Sequence, residues 1–588
     1  MRLTDYIAEY LYTQGIDTIF TVTGGGSIFL TDGLAANSKI CVVNNHHEQA
    51  SAMAAVAYAK YKGFGCAYVT TGCGGTNAMT GLLHAWQDST PCIFISGQSK
   101  IKETIRNSGL ALRQFGVQEA DIISLVESIT KYSVMITNPL DIRYHLDKAF
   151  YLAKSDRPGP VWLDIPMDVQ SAEINPDSLH TYKPVKQYKP SIDFDILIQS
   201  FKDSKRPLII AGQGIRLAGK CREFSDFIHK YKIPVVCSRM GLDVMPSEDS
   251  LYIGRIGNKG TRPANFAIQN ADFILSLGSR LSVSSTGHEY ELFAPNAKLI
   301  VVDIDPTEHQ KNTVKINHFI HCDIKEFFAA LPEFNYIVSQ DWLDKTISWK
   351  EKYPVFNPSV KPKQGIDLYF FIHILSECLV KDDVVVTDAG SAVYAPAQGI
   401  ELRFAEQRYI TSGGQAEMGF TLPGTIGVCK ASKHRVIGIT GDGSFQMNIQ
   451  ELQTIVHNKL PVKIFIWNNN GYLSIRATQN KFFNGRMIGT DSSNGLSFPD
   501  LSKISFAYGL KYVKIKTQDE TKEKINEVLN HNGPVICDVV CDPDQEIIPS
   551  VSSKVLDDGR IVSCPIHDMY PFLSKEEMFE NMVIKPFC

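Results

Sequence analysis

A chain of 588 residues is long enough for three to four domains at roughly 100–200 residues each. Its 44% hydrophobic and 21% charged residues are ordinary for a soluble globular protein, and a net charge of −4 with a pI ≈ 6.4 excludes a nucleic-acid surface. The 13 cysteines are scattered without CxxC pairs or zinc spacing, which points to reduced thiols in a cytoplasm, and no apolar run reaches the roughly 18–20 residues that span a bilayer.

The N-terminus, MRLTDYIAEYLYTQGID, is charged and amphipathic and reads as a first helix, Leu3 to Gly15, rather than a signal peptide. Short apolar runs then alternate with helical stretches. Ile19 to Val22 is a strand ending in Thr23-Gly24-Gly25-Gly26. Cys41 to Asn44 runs into His46-His47-Glu48-Gln49-Ala50 and an alanine-rich helix to Lys60. Gly65 to Thr70 ends in Thr71-Gly72-Cys73-Gly74-Gly75-Thr76-Asn77, and Ile93 to Ser96 follows. Arg157-Pro158-Gly159-Pro160 leads into a closing strand, Val161 to Ile165. This alternation predicts a parallel sheet covered on both faces, over 1–172. Taken alone, Glu48 is a carboxylate favoured by the start of its helix.

A polar, proline-punctuated linker at about 172–190 precedes a middle domain, 190–345, with strands at Pro207–Gly212, Ile233–Cys237, Phe273–Leu277 and Leu299–Asp303. A second linker, rich in Lys and Pro, is expected over 345–365. The third domain, 360–545, opens with Val384 to Thr387 and the turn Asp388-Ala389-Gly390-Ser391-Ala392, and ends on Val535 to Val540. A tail of 546–588 remains, which could cover a site or pack on a neighbour.

The most informative stretch is RVIGITGDGSFQMNIQELQTIVHNKLPVKIFIWNNNGYL, from Arg435 to Leu473. It reads as strand Val436–Thr440, turn Gly441-Asp442-Gly443, helix Ser444–Asn458, strand Val462–Trp467 and loop Asn468–Gly471. Polar residues thus gather at the carboxyl ends of neighbouring strands, where ligands bind in parallel sheets. Gly443 would let a phosphate approach the backbone, and the helix from Ser444 would point its free N–H groups at that anion. The Asp442 carboxylate, the Asn469 amide oxygen and the Gly471 carbonyl form an all-oxygen set that suits Mg²⁺ better than zinc or copper.

This GDG…NN stretch resembles the diphosphate- and metal-binding motif of thiamine diphosphate enzymes, and the resemblance extends over most of the chain, nearest to the acetolactate synthase group. It implies three flavodoxin- or Rossmann-like α/β domains in the order pyrimidine-binding, central and diphosphate-binding. It implies thiamine diphosphate and Mg²⁺, with Gly441, Asp442, Gly443, Ser444, Asn469, Gly471, Tyr472 and Leu473 around them, and backbone donors from Gly390, Ser391 and Ala392. Glu48, in an HEQ-type motif, would hydrogen-bond the aminopyrimidine N1′, with Gly72 and Asn77 lining the cofactor. Met418 has an ordinary reading as a core residue. By resemblance it is the wedge under the cofactor, with the Ala416 carbonyl and Met418 amide on the pyrimidine edge. Gly25, Gly26 and Gln118 would face substrate.

The family also implies a homodimer or homotetramer, with each site between the first domain of one subunit and the third of another. The reaction implied is decarboxylation of a 2-keto acid, pyruvate above all, and ligation of the remaining carbons to an acceptor carbonyl. Three departures stand out. Arg280-Leu281-Ser282-Val283-Ser284 replaces the family's Arg-Phe-Asp-Asp-Arg, whose second Arg grips the carboxylate of a keto-acid acceptor; Ser284 cannot make that contact. FAD, carried centrally by some members, and a keto-acid acceptor are both put in question. Glu417 and Val117 are unusual at their positions, and Arg476 reads as an acceptor contact or a solvated side chain. The alternatives are a carboligase for a neutral ketone or keto-sugar, a simple decarboxylase, or a ligand-binding protein without catalysis.

Overall fold

The computed structural model describes residues 1–184, 192–359, 362–555 and 560–584; parts of both linkers read from sequence, 185–190 and 360–361, lie outside the described residues. Three six-stranded sheets, parallel throughout, carry the fold. The first contains β1 (Thr18–Thr21), β2 (Cys41–Asn44), β3 (Gly65–Val69), β4 (Cys92–Gln98), β5 (Tyr132–Met135) and β6 (Val161–Pro166), in the order β2-β1-β3-β4-β6-β5. The middle sheet has β7 (Pro207–Ala211), β8 (Val235–Cys237), β9 (Tyr252–Arg255), β10 (Phe273–Leu277), β11 (Lys298–Asp303) and β12 (His318–His321), ordered β12-β11-β10-β7-β8-β9. The third has β13 (Val384–Thr387), β14 (Arg408–Thr411), β15 (Val436–Gly441), β16 (Lys463–Asn468), β17 (Lys511–Ile515) and β18 (Val535–Val540), ordered β14-β13-β15-β16-β18-β17.

The first and third sheets therefore share one topology, while the middle one has the 3-2-1-4-5-6 order of dinucleotide folds. Central strands such as β10 are buried along their whole length because helices cover both faces. The first and third sheets also share a core: Ala52 and Leu82 cluster with Leu422, Ile426 and Leu452. At its centre the Glu48–Lys62 helix crosses the Thr421–Ala431 helix. A Cβ at Gly427 would come 2.1 Å from the Ala54 carbonyl oxygen, so alanine and glycine here set the distance between the helices.

Several sequence expectations change. The stretch read as a linker from 345 is helical to Lys352, in a helix, Gln340–Lys352, whose Trp342 and Trp349 are buried in the middle core. The helix expected over Ser444–Asn458 is two short ones, Asp442–Gln446 and Glu451–His457. The tail packs on its own chain. Ile566 joins the middle core, Asn265 Nδ2 donates to the Ile566 carbonyl at 2.7 Å, and Val583 N–H donates to Asn270 Oδ1 at 2.6 Å. It covers the Arg262–Asn270 helix, every residue of which is buried. Among the described residues no helix is long and apolar enough to cross a membrane.

Candidate active site

In the third sheet, the turns after β13 and β15 flank the point where strand order reverses, and the loop after β16 lies beside them; Gly441 pairs directly with Trp467. Asp442 is buried and accepts N–H bonds from Gly443 (2.8 Å) and Gly471 (3.1 Å). Asn469 is 4% exposed, and its Oδ1 has no hydrogen-bond partner. A buried, unpaired acceptor beside a buried carboxylate is costly unless something cationic or donating joins them. Burial pushes the Asp442 carboxyl up to about 7 despite its backbone donors. Among the described residues no three His, Cys, Asp or Glu side chains form a metal cluster. A metal held here would use mixed oxygen donors, and the pair Asp442 and Asn469 fits a hard cation.

Gly471 has φ +155, and a Cβ there would meet the Thr490 carbonyl oxygen at 2.3 Å and Arg476 Nη1 at 2.7 Å. Its carbonyl accepts from Leu473 N–H at 3.1 Å, which leaves one lone pair for a cation. Arg476 is neither solvated nor turned to an acceptor. It is buried, and Nη2 donates to the carbonyls of Asn469 (3.2 Å) and Pro543 (2.6 Å), so it holds the Asn469 loop from behind. Gly443 also has another reason to be glycine: a Cβ would strike the Tyr472 ring at 2.1 Å. Leu473 opens the following helix, Leu473–Phe483.

Asp388 was read only as part of a turn, yet it ties three turns together. Its fully buried carboxylate accepts from Thr440 Oγ1 (2.9 Å), Ser444 Oγ (2.5 Å) and Ala389 N–H (2.7 Å), and Ser444 Oγ accepts from Gly419 N–H (2.7 Å). Gly390, at φ +58, then turns the chain into the Ser391–Gly399 helix, whose first residues Ser391 and Ala392 are buried at the carboxyl edge of the sheet.

The first sheet repeats the arrangement. Its order reverses between β1 and β3, and the turns there interlock: Cβ atoms at Gly24 and Gly26 would collide with Thr70 and Thr71, while Gly25 faces open space. Glu48 is 8% exposed. Asn77 Nδ2 donates to its Oε2 at 2.9 Å, and Oε1 accepts no hydrogen bond among the described residues. His47 caps the helix by accepting from Gln49 N–H, so it has a structural task. Gly72, at φ +65, packs under the Gln118 carbonyl, 2.1 Å from where a Cβ would be. The Gln118 side chain is exposed, and Glu119 fastens its loop by accepting from the Phe115 and Gly116 N–H groups.

The structure thus gathers two groups: Glu48 with Gly72 and Asn77, and Asp442 with Asn469 and Gly471. Two contacts sew the helix of the first to the third sheet. Gln49 Oε1 accepts from Asn448 at 3.2 Å, and buried Glu451 accepts from Asn45 Nδ2 (2.8 Å) and His46 N–H (2.9 Å). Neither Asn448 nor Glu451 stood out in sequence, since both lie in what reads as one amphipathic helix.

A third hollow of ≈ 250 Å³ opens at the carboxyl edge of the middle sheet, beside Gly214, Gly278, Asp303 and Asp323. It is smaller than the roughly 300–1,000 Å³ of ordinary ligand pockets. Arg157 crosses one wall, donating to Asp305 (2.9 Å) and Glu308 (2.7 Å), and Ser284 Oγ is bonded to Ser282 Oγ at 2.9 Å.

Comparison with known proteins identifies the family. Three family models match in succession: "Thiamine pyrophosphate enzyme, N-terminal TPP binding domain" over 1–132, the central domain over 195–331, and the C-terminal TPP binding domain over 388–539. The chain is 31% identical to the acetolactate synthase large subunit of Cyanidium caldarium, over 93% of this chain and 94% of that one. It is 33% identical to a probable acetolactate synthase large subunit of Methanocaldococcus jannaschii (94% and 93% covered) and 32% identical to the large subunit of Lactococcus lactis (94% and 95%). A three-sheet α/β fold matched end to end at this identity places the chain in the thiamine diphosphate-dependent enzymes, among those of the acetolactate synthase type.

Proposed function

We propose that the protein decarboxylates a 2-keto acid, pyruvate foremost, and ligates the remaining carbons to an acceptor carbonyl, with thiamine diphosphate held through Mg²⁺. The observation that carries the metal assignment is the buried, unpartnered Asn469 Oδ1 beside Asp442. When bound, the cofactor supplies the nucleophilic carbon and the electron sink that lets CO₂ leave. Asp442, Asn469 and the Gly471 carbonyl hold the cation, and the Ser391 and Ala392 backbone holds the diphosphate. Glu48, oriented by Asn77, would exchange a proton with the pyrimidine when the cofactor is bound. Met418 would support the bound cofactor from below, and the Ala416 carbonyl and Met418 amide would meet the pyrimidine edge. Gly25, Gly26 and Gln118 border the substrate.

The complete site belongs to a dimer or larger assembly. Large apolar side chains are exposed on two segments, Leu110, Phe115 and Val117 on one and Phe482, Phe483 and Ile488 on the other, and a second copy would cover such side chains. A neutral ketone or keto-sugar acceptor is favoured by one feature. Ser284 offers a hydroxyl, not a guanidinium, and that hydroxyl is engaged by Ser282.

The test is CO₂ release from pyruvate with thiamine diphosphate and Mg²⁺, with product identification, on protein first scanned for flavin and sized by light scattering. Release without acetolactate, accelerated by added ketone or sugar acceptors, is expected. No release would remove pyruvate as donor, flavin absorbance would show that FAD is carried, and a monomer would remove the shared site.

Metal binding also has a pH signature. The native state keeps a proton on Asp442 between about 4 and 7, where the unfolded chain has released it. Stability of the cofactor-free protein from this group therefore falls as pH rises through that window. A divalent cation replaces the proton, so Mg²⁺ with cofactor is expected to raise Tm more at pH 8 than at pH 5. An equal gain at both would detach Asp442 from the metal.

A further inference from the structure

Glu417 lies between Ala416 and Met418, yet its side chain turns away from solvent and is only 7% exposed. Its Oε1 sits 2.6 Å from Nδ1 of His84, a fully buried residue of the first domain, on the Met79–Gln87 helix. Its Oε2 accepts a short hydrogen bond from Ser412 Oγ, and the same hydroxyl oxygen accepts from Ala416 N–H at 3.0 Å. This closed ring holds Ala416 at φ +50, a left-handed conformation that a residue with a Cβ adopts only under restraint.

The other imidazole nitrogen, Nε2, lies 3.1 Å from Asp88 Oδ2, an ion-pair distance rather than an aligned hydrogen bond. Asp88 also takes Lys60 Nζ (2.5 Å) and the N–H groups of Gly413 (2.8 Å) and Gly414 (2.7 Å), while Lys60 donates to the Thr411 carbonyl at 2.6 Å. The loop 411–417 is therefore pinned at both ends by side chains of the first domain. Burial disfavours the charge on His84, but the two carboxylates facing it outweigh that and raise its pKa; the imidazolium in turn lowers that of Glu417 against its own burial. Two cations and two anions then balance in a dry interface. Removing one of them leaves an uncompensated charge, which costs far more than a surface pair does.

We propose that Glu417 and His84 are positioning residues for cofactor binding: their buried ion pair, braced by Ser412 and Asp88, presents the Ala416–Met418 backbone in the conformation that receives the pyrimidine. The proposal rests on the reading of Ala416 and Met418 given above. It also gives the buried acid and the buried histidine that meets it a common task.

The test uses the full-length protein with thiamine diphosphate and Mg²⁺ as the probe, measuring cofactor affinity by titration alongside Tm and turnover. Glu417→Gln and His84→Gln are each expected to weaken cofactor binding on the order of 10- to 100-fold, as small misplacements of a positioning group do. The double variant restores charge balance and should lose less than the product of the single losses. Ser412→Ala keeps the ion pair but frees Ala416, and should weaken binding several-fold at nearly unchanged Tm; it serves if Glu417→Gln fails to fold. Folded variants that lose Tm but bind cofactor within twofold of the parent overturn the proposal and leave a structural clamp. A parent protein that binds no cofactor overturns the reading of the site itself.

Discussion

Glu48→Gln is expected to lower keto-acid turnover by roughly 10²–10⁴-fold, the range that a positioned acid or base supplies, while cofactor and Mg²⁺ affinity change by no more than a few-fold. The geometry separates the two effects. Glu48 belongs to the first sheet and touches Asn77, whereas Asp442 and Asn469 belong to the third. Gln keeps the size of Glu and can still accept from Asn77 Nδ2, so the surrounding helix start should fold as before. What it loses is the ability to share a proton through Oε1. Turnover that survives this change would falsify the proton-sharing role. A parent protein that binds cofactor and turns over no keto acid would instead favour a binding protein, which has no use for an acid at this position.

The central strands are legible in the sequence, and of the six edge strands only β2 is. β3, β4, β7, β10, β13 and β18 are short apolar runs buried on both faces, and each was read to within a residue or two. The strands with no sequence reading are β5, β9, β12, β14 and β17, and all five lie at sheet edges, although β9 is buried throughout. For β17 and β12, composition explains it. Lys511-Tyr512-Val513-Lys514-Ile515 and His318-Phe319-Ile320-His321 mix charge with apolar groups because an edge strand is only half covered.

The site divides in the same way. Asp442 and Asn469 are legible as candidates because a turn or strand end beside them marks the carboxyl edge of a parallel sheet, and Glu48 only through the family resemblance of its HEQ motif. Asp388, Asn448, Glu451, His84 and Lys60 are not, since each acts on residues distant in the chain and carries no local signal. Arg476 shows the converse: its charge suggested a ligand, but the fold spends it on two carbonyls behind the Asn469 loop.

Asp442→Asn should give the opposite profile to Glu48→Gln: loss of Mg²⁺ and cofactor binding by about 100-fold or more, with the cofactor-free fold intact. Binding falls because the neutral amide offers the cation one weak oxygen where the carboxylate offered charge and two. The fold survives for an independent reason. Burial already opposes the charge on Asp442, so removing that charge relieves a cost in the empty site. Against this stands one lost acceptor, since Asn can still take the N–H of Gly443 or of Gly471 but not both; such a bond contributes roughly 1 kcal/mol. The two effects nearly offset, and Tm without ligand should move by a few degrees at most. The gain in Tm on adding Mg²⁺ and thiamine diphosphate, which follows from binding to the native state alone, should vanish at concentrations that saturate the parent protein. A variant that folds and keeps the full gain would place the metal elsewhere. One that unfolds without ligand would mean the carboxylate holds the β15 and β16 loops together by itself, and that the unpaired Asn469 oxygen has been given too much weight.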